Sequence, residues 1–89
     1  MSTLSFTSFV LSLASTAAIH FGDLADPQTG KSESHLDGAS QMIDILALLE
    51  EKTRGNLTAE ERQVLEQVLY ELRMRFVEAS GAEKRIIQP

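Results

Sequence analysis

The chain has 89 residues, the size of one small domain, and a formal charge of -5. That balance argues against a protein whose main work is neutralising phosphates, and with no cysteine a disulfide framework, a thiolate metal site and a thiol nucleophile are excluded. A small chain without such staples must bury its apolar residues efficiently or share a core with a second copy. Its two prolines, Pro27 and Pro89, leave the intervening segments free to be helical.

The first nineteen residues carry no charged side chain, which raises a membrane reading. From Leu4 to Phe21 the apolar residues are interleaved with Ser5, Thr7, Ser8, Ser12, Ser15 and Thr16. A spanning helix needs about 20 predominantly apolar residues, and this run is more polar and shorter. No Lys or Arg precedes Lys31, so the basic region of a secretory signal is missing, although Leu13-Ala-Ser-Thr-Ala-Ala18 has the small residues of a cleavage region. Export and insertion are both disfavoured.

Helical periodicity accounts for the segment better. Phe6, Val10, Leu13, Ala17 and His20 are spaced four, three, four, three, with Phe9 and Phe21 beside them, which predicts a helix over about 6–21. Its other side carries Ser8, Ser12, Ser15 and Ile19, with Leu4, Leu11 and Ala18 nearby. An uncharged back of this kind is expected to meet a second surface, its hydroxyls bonding their own backbone where needed. Gly22 should stop the helix. In the loop that follows, Asp26-Pro27-Gln28-Thr29-Gly30 is turn chemistry, Pro27 pre-setting φ and Gly30 closing the turn. Asp23 and Asp26 do not fit the spacing of a calcium-binding EF-hand loop.

Ser34 is the expected cap of a second helix over about 35–53, in which Leu36, Ala39, Met42, Ile43, Ile45, Leu46, Leu48 and Leu49 cover more than half the circumference. So broad an apolar surface predicts a central helix with neighbours on more than one side. Lys52 and Arg54 suit the final turn, and Gly55 stands where a positive φ would end it. Thr58 and Glu61 then make the Thr-x-x-Glu capping box of a third helix over about 59–79, with Glu60 in the same turn. A stop and a start this close together predict an antiparallel hairpin of the second and third helices.

Leu65, Leu69, Leu72, Phe76 and Ala79, supported by Val68, form the inner stripe of the third helix, and Tyr70, Met74 and Val77 a second apolar strip at i, i+4 and i+7. Ser80 and Gly81 are expected to end it, leaving a flexible tail from about 81 in which Ile86 and Ile87 are the residues able to dock. The expected fold is therefore all-α: three helices in a single domain over residues 1–89, assembling into a multi-subunit bundle. A hairpin cannot cover two faces at once, and contiguous exposed apolar patches usually mark a partner, most simply another copy. The candidate interface residues are Phe6, Phe9, Leu13, Tyr70, Met74 and Val77. Whether the first helix packs in its own subunit or is exchanged is open.

The chain also resembles a bacterial family catalogued as domain of unknown function 1844, over roughly Ser5 to Phe76. The resemblance rests on Ser5-Phe6-x-x-Phe9 with Ser12-Leu13, on Gly22, and on Asp26-Pro27-x-Thr29-Gly30. It continues through Ile43-Asp44-x-Leu46, Leu49-Glu50-x-Lys52-Thr53-x-Gly55-Asn56-Leu57-Thr58 and Leu69-Tyr70-x-Leu72-Arg73-Met74-x-Phe76, where members often carry tyrosine in place of Phe76. It implies a small bacterial, cytoplasmic protein, and through the gene neighbourhood of some relatives a link to translation. It carries over no functional residue, because none is defined for the family.

No catalytic constellation is visible. His20 and His35 are the only histidines and no helix pairs them at ligand spacing, whereas zinc needs at least three good ligands. His20 lies on the core stripe, where a structural histidine is the simpler reading. The carboxylates at 50, 51, 60, 61, 66 and 71 lack the Glu-x-x-His pairs of a di-metal bundle. There is no glycine-rich phosphate loop and no Gly-x-Ser-x-Gly. Asn56-Leu57-Thr58 fits a glycosylation pattern but falls in a tight helix corner.

The sequence thus points to a cytoplasmic, non-enzymatic protein without cofactor or metal, not bound to a membrane, that forms a homo-oligomer and acts by binding another protein. The alternative is a ribosome- or RNA-associated factor using Arg62, Arg73 and Arg75. Nucleic acid is the weaker expectation, since Glu66, Glu71 and Glu78 interleave with these arginines.

Overall fold

A computed structural model describes residues 4–87, with side chains through residue 81. Three helices, α1 (Phe6–Phe21), α2 (Leu36–Lys52) and α3 (Ala59–Ile87), each touch the other two, and the described residues contain no strand. Helix α1 packs within its own chain.

The ends of α1 are fixed by local chemistry. Ser5 takes an extended conformation and its hydroxyl accepts from the Ser8 amide at 3.0 Å, while Ser8 Oγ accepts from the Ser5 amide at 2.9 Å. This is a capping box with serine in the place usually held by Glu or Gln. At the other end Gly22 adopts φ 83, and the amides of Gly22 and Asp23 donate back to the carbonyls of Ile19 and Ala18 at 3.0 and 2.9 Å. A side chain here would meet the strain of a left-handed conformation. It would also lie 3.3 Å from the Glu33 and Ser34 backbone, because the loop returns across Gly22.

The loop from Asp23 to His35 closes on itself. Asp26 accepts from the Gln28 amide on its side chain at 2.8 Å and from the Gly30 amide on its carbonyl at 2.7 Å, and the His35 amide donates to the His20 carbonyl at 2.6 Å. That last bond overturns the expected cap. His35, not Ser34, is the residue before α2, and it makes no side-chain cap bond; tying its amide to the end of α1 sets where α2 starts.

The corner between α2 and α3 follows expectation with one shift. Helix α2 stops at Lys52, Thr53 caps it at φ -101 with its hydroxyl donating to the Leu49 carbonyl at 2.7 Å, and the left-handed turn comes two residues later at Gly55, φ 83. The box is complete: the Glu61 amide donates to Thr58 Oγ1 at 3.1 Å and the Thr58 amide to Glu61 Oε1 at 2.9 Å.

Helix α3 does not end at Ser80 and Gly81 but continues to Ile87. Gly81 has no positive φ, and Ala82, Glu83, Lys84 and Arg85 after it are strong helix formers, so nothing there reverses the chain. The expected docking of Ile86 and Ile87 lies outside the described side chains. At 29 residues α3 is about 43 Å long by the helical rise, against 17 residues for α2.

The core has two buried clusters. Val10, Leu46, Leu65 and Leu69 fill one, and Ala17, Phe21, Ala39 and Met42 the other; Leu13, Ile43 and Leu72 pack against both and join them. Helices α1 and α3 contribute the inner stripes read from their periodicity, whereas α2 buries Ala39, Met42 and Leu46 of its broad apolar surface and leaves Ile45 and Leu48 exposed, so the covering expected from its breadth is incomplete. Among the described residues no polar side chain is buried. The small residues of α1 and α2, Ala17 and Ala39, are both fully buried, and beside them the His20 ring lies against Gly38, within 2.4 Å of where a Cβ would stand.

Candidate interaction surface

Among the described residues, the hydroxyl residues on the uncharged back of α1 bond only to their own helix. Ser8, Ser12, Ser15 and Thr16 are exposed, and their hydroxyls donate to carbonyls of their own helix at 2.7 to 3.2 Å. These bonds satisfy the hydroxyls, so that face carries no unmet polar demand.

Helix α3 is different, because its second strip is apolar. Met74 lies two residues from both Leu72 and Phe76, hence about 200° around the helix from each. Those two pack inward, so Met74 points away from the body of the protein. Tyr70, Met74 and Val77 are 63%, 52% and 64% exposed, forming a continuous ridge at i, i+4 and i+7. Beside it a shallow apolar surface is lined by Tyr70, Glu71, Leu72, Met74, Arg75, Val77 and Glu78.

The other candidate residues divide. Phe6 and Leu13 are half-buried against the core, and so belong to the fold of the single chain. Phe9 is exposed on α1 but does not join the α3 ridge. A separate groove between α1 and α3 has Leu11, Ala14, Val64 and Val68 on its floor and Glu60, Gln63, Gln67 and Glu71 around it.

Arg75, one of the three arginines considered for an RNA phosphate, is paired within the chain. Its Nε and one terminal nitrogen donate to the two Asp23 oxygens at 2.9 and 2.7 Å, across 52 residues of sequence. The guanidinium also lies 5.2 Å from the centre of the Phe21 ring, within reach of a cation–π contact. These hydrogen bonds, aided by the positive charge, hold the Asp23 carboxyl below the usual carboxylate range. The pair pins the start of the long loop to α3 and was invisible in the sequence. Arg62 and Arg73 are exposed, but eleven residues of helix separate them by about 16 Å, so they do not converge on one phosphate.

His20 is half-buried and packed on Gly38. His35 is exposed, 3.5 Å from the Glu33 carboxylate. They approach a shallow cleft also lined by Asp26, Thr29 and Lys31, yet no group of three or more metal-ligating side chains forms among the described residues. Nor is any helix among them long and apolar enough to cross a membrane.

Three helices with an apolar ridge on the outside of the third define a class of small helical proteins built around a hairpin. The chain belongs to the family described as Domain of unknown function (DUF1844), whose model matches residues 3–78. The match spans all of α1 and α2 and takes in the ridge through Val77. No curated protein and no solved structure matches the chain.

Proposed function

We propose that this is a non-enzymatic protein-interaction module that self-associates through the outer ridge of α3. The observation behind this reading is the exposure of Tyr70, Met74 and Val77 on the side of α3 opposite the core. A ridge of this kind costs solubility unless something covers it, and the chain folds its three helices without using it.

The three side chains expose on the order of a few hundred Å2, whereas a stable interface needs about 800 Å2 per partner. Neighbouring polar residues of α3 must therefore share the contact, and the expected assembly is weak, in the micromolar range. Sedimentation equilibrium of the full chain across that range tests this. Met74→Glu should shift the mass to that of the monomer and leave the circular dichroism of the helices intact, since Met74 supports nothing in the core. A chain that stays monomeric at high concentration, or a Met74→Glu variant of unchanged mass, overturns the reading.

A further inference from the structure

We infer that the second copy lies parallel to the first along α3, in register, with Arg73 of each copy facing the partner's Glu78. This rests on the self-association proposed above and adds its geometry.

The ridge follows the four-three spacing of a two-helix seam, with Tyr70 and Val77 at one kind of core position and Met74 at the other. The residues flanking such a seam set the orientation of the pair. On one side of this seam stands Arg73, just before Met74; on the other stand Glu71 and Glu78, just after Tyr70 and Val77. The two edges therefore carry opposite signs beside the apolar layers.

In a parallel pair each edge meets the opposite edge of the partner, offset by five residues, which sets Arg73 against the partner's Glu78. In an antiparallel pair each edge meets its own kind, which sets Glu71 against the partner's Glu78 on an all-acidic side. Like charges at close range on a helical seam are destabilising, so the pattern favours the parallel pair. Glu78 is exposed and only 3.6 Å from Arg75 within its own helix. Asp23 takes Arg75 Nε and Nη2 and Glu78 meets Nη1 through Oε1 alone, so the other oxygen of this exposed carboxylate can take a second cation.

One contact runs the other way. The parallel register also sets Glu66 against the partner's Glu71. There, however, the seam positions are Gln63 and Gln67 instead of apolar residues, and Gln67 donates to Glu71 at 3.3 Å, drawing that carboxylate along its own helix. The contact is thus concentrated in the three apolar layers, where the Arg73 pair lies. Because the ridge faces away from the core, two three-helix bodies stand back to back without meeting elsewhere.

The chain has no cysteine, so single cysteines report the geometry directly. In a parallel pair Tyr70→Cys and Val77→Cys each meet their own copy, close enough for a disulfide. Each should give a covalent dimer on mild oxidation, faster than Gln41→Cys, an exposed position on α2. If neither links alone and an equimolar mixture of Met74→Cys and Val77→Cys does, the pair is antiparallel and the inference falls while self-association stands. Arg73→Glu should weaken the dimer several-fold by sedimentation, and adding Glu78→Arg should restore it. Arg73→Glu without effect overturns the charge pairing. A wild-type chain that is monomeric throughout removes the proposed function and this geometry together.

Discussion

Gly38→Ala sets two effects of opposite sign against each other. Replacing glycine by alanine inside a helix is worth about 0.8–1.0 kcal/mol from backbone propensity alone. At Gly38, however, the new methyl would lie 2.4 Å from His20 Nδ1, 2.7 Å from Cε1 and 2.8 Å from Cγ, where ordinary contacts need about 3.5–4.0 Å. The overlap reaches Cγ at the base of the ring, so a swing of the ring tip does not relieve it; either χ1 changes or α1 and α2 part. Overpacking of this order costs about 1–3 kcal/mol, so the net effect is a loss of up to about 2 kcal/mol. Gly81→Ala is the control. It also lies inside a helix, but an added Cβ meets nothing within 4 Å, so it should stabilise by roughly 0.5–1 kcal/mol. Urea unfolding followed by far-ultraviolet circular dichroism reads both. In a His20→Ala background the penalty at Gly38 should vanish and only the propensity gain remain, a coupling that a double-mutant cycle measures. If Gly38→Ala stabilises the wild-type chain as much as the His20→Ala chain, the packing of His20 on Gly38 is refuted.

The same unfolding assay checks three further expectations. Leu46→Ala, at a fully buried position joining all three helices, should cost about 2–5 kcal/mol, while Leu48→Ala, at an exposed position two residues on, should stay within about 0.5 kcal/mol. Thr58→Ala removes the acceptor for the Glu61 amide and should cost about 1 kcal/mol. Asp23→Asn breaks the bidentate pair with Arg75, but both side chains are substantially exposed, so the loss at neutral pH should be under about 1 kcal/mol. Because the folded state lowers the Asp23 pKa, the wild type's advantage is complete above the ordinary carboxylate value. It fades as acid titrates the folded carboxyl below about pH 4. A wild-type advantage that persists at pH 2 would contradict the assignment.

What was legible in the sequence was set by neighbours in the chain. The Thr58–Glu61 box, the left-handed Gly22 and the Asp26 turn depend on residues within a few positions of one another, and the inner stripes of α1 and α3 follow from helical period. The Ser5–Ser8 box is equally local, yet serine in the third position is a weaker signal than glutamate. The cap of α2 and the end of α3 were misplaced for different reasons. The first is decided by a bond from His35 across to α1. The second hung on Gly81, which reads as a stop only if a reversal follows it. Contacts between distant segments, His20 with Gly38 and Asp23 with Arg75, have no sequence signature at all. For the candidate surface, periodicity identified Tyr70, Met74 and Val77, but it could not separate Phe6 and Leu13, which face inward, from residues that face out.

Self-association has a thermodynamic consequence that needs no mutation. A helix within a protein owes most of its stability to packing, and α3 is much longer than the helices it packs against, so a partner along its outer face would hold a helix that is otherwise supported on one side. Binding that requires the folded state stabilises by mass action. In a monomer–dimer equilibrium well above its dissociation constant, free monomer rises as the square root of total protein, so each tenfold increase adds about 0.7 kcal/mol per protomer. For a domain of this size that is a rise in midpoint temperature of roughly 3–5 °C. Thermal scans at concentrations well above the micromolar dissociation constant should show this slope, and Met74→Glu should abolish it while keeping the low-concentration midpoint of the wild type. A wild-type midpoint independent of concentration would mean that the ridge of α3 is not covered by a second copy.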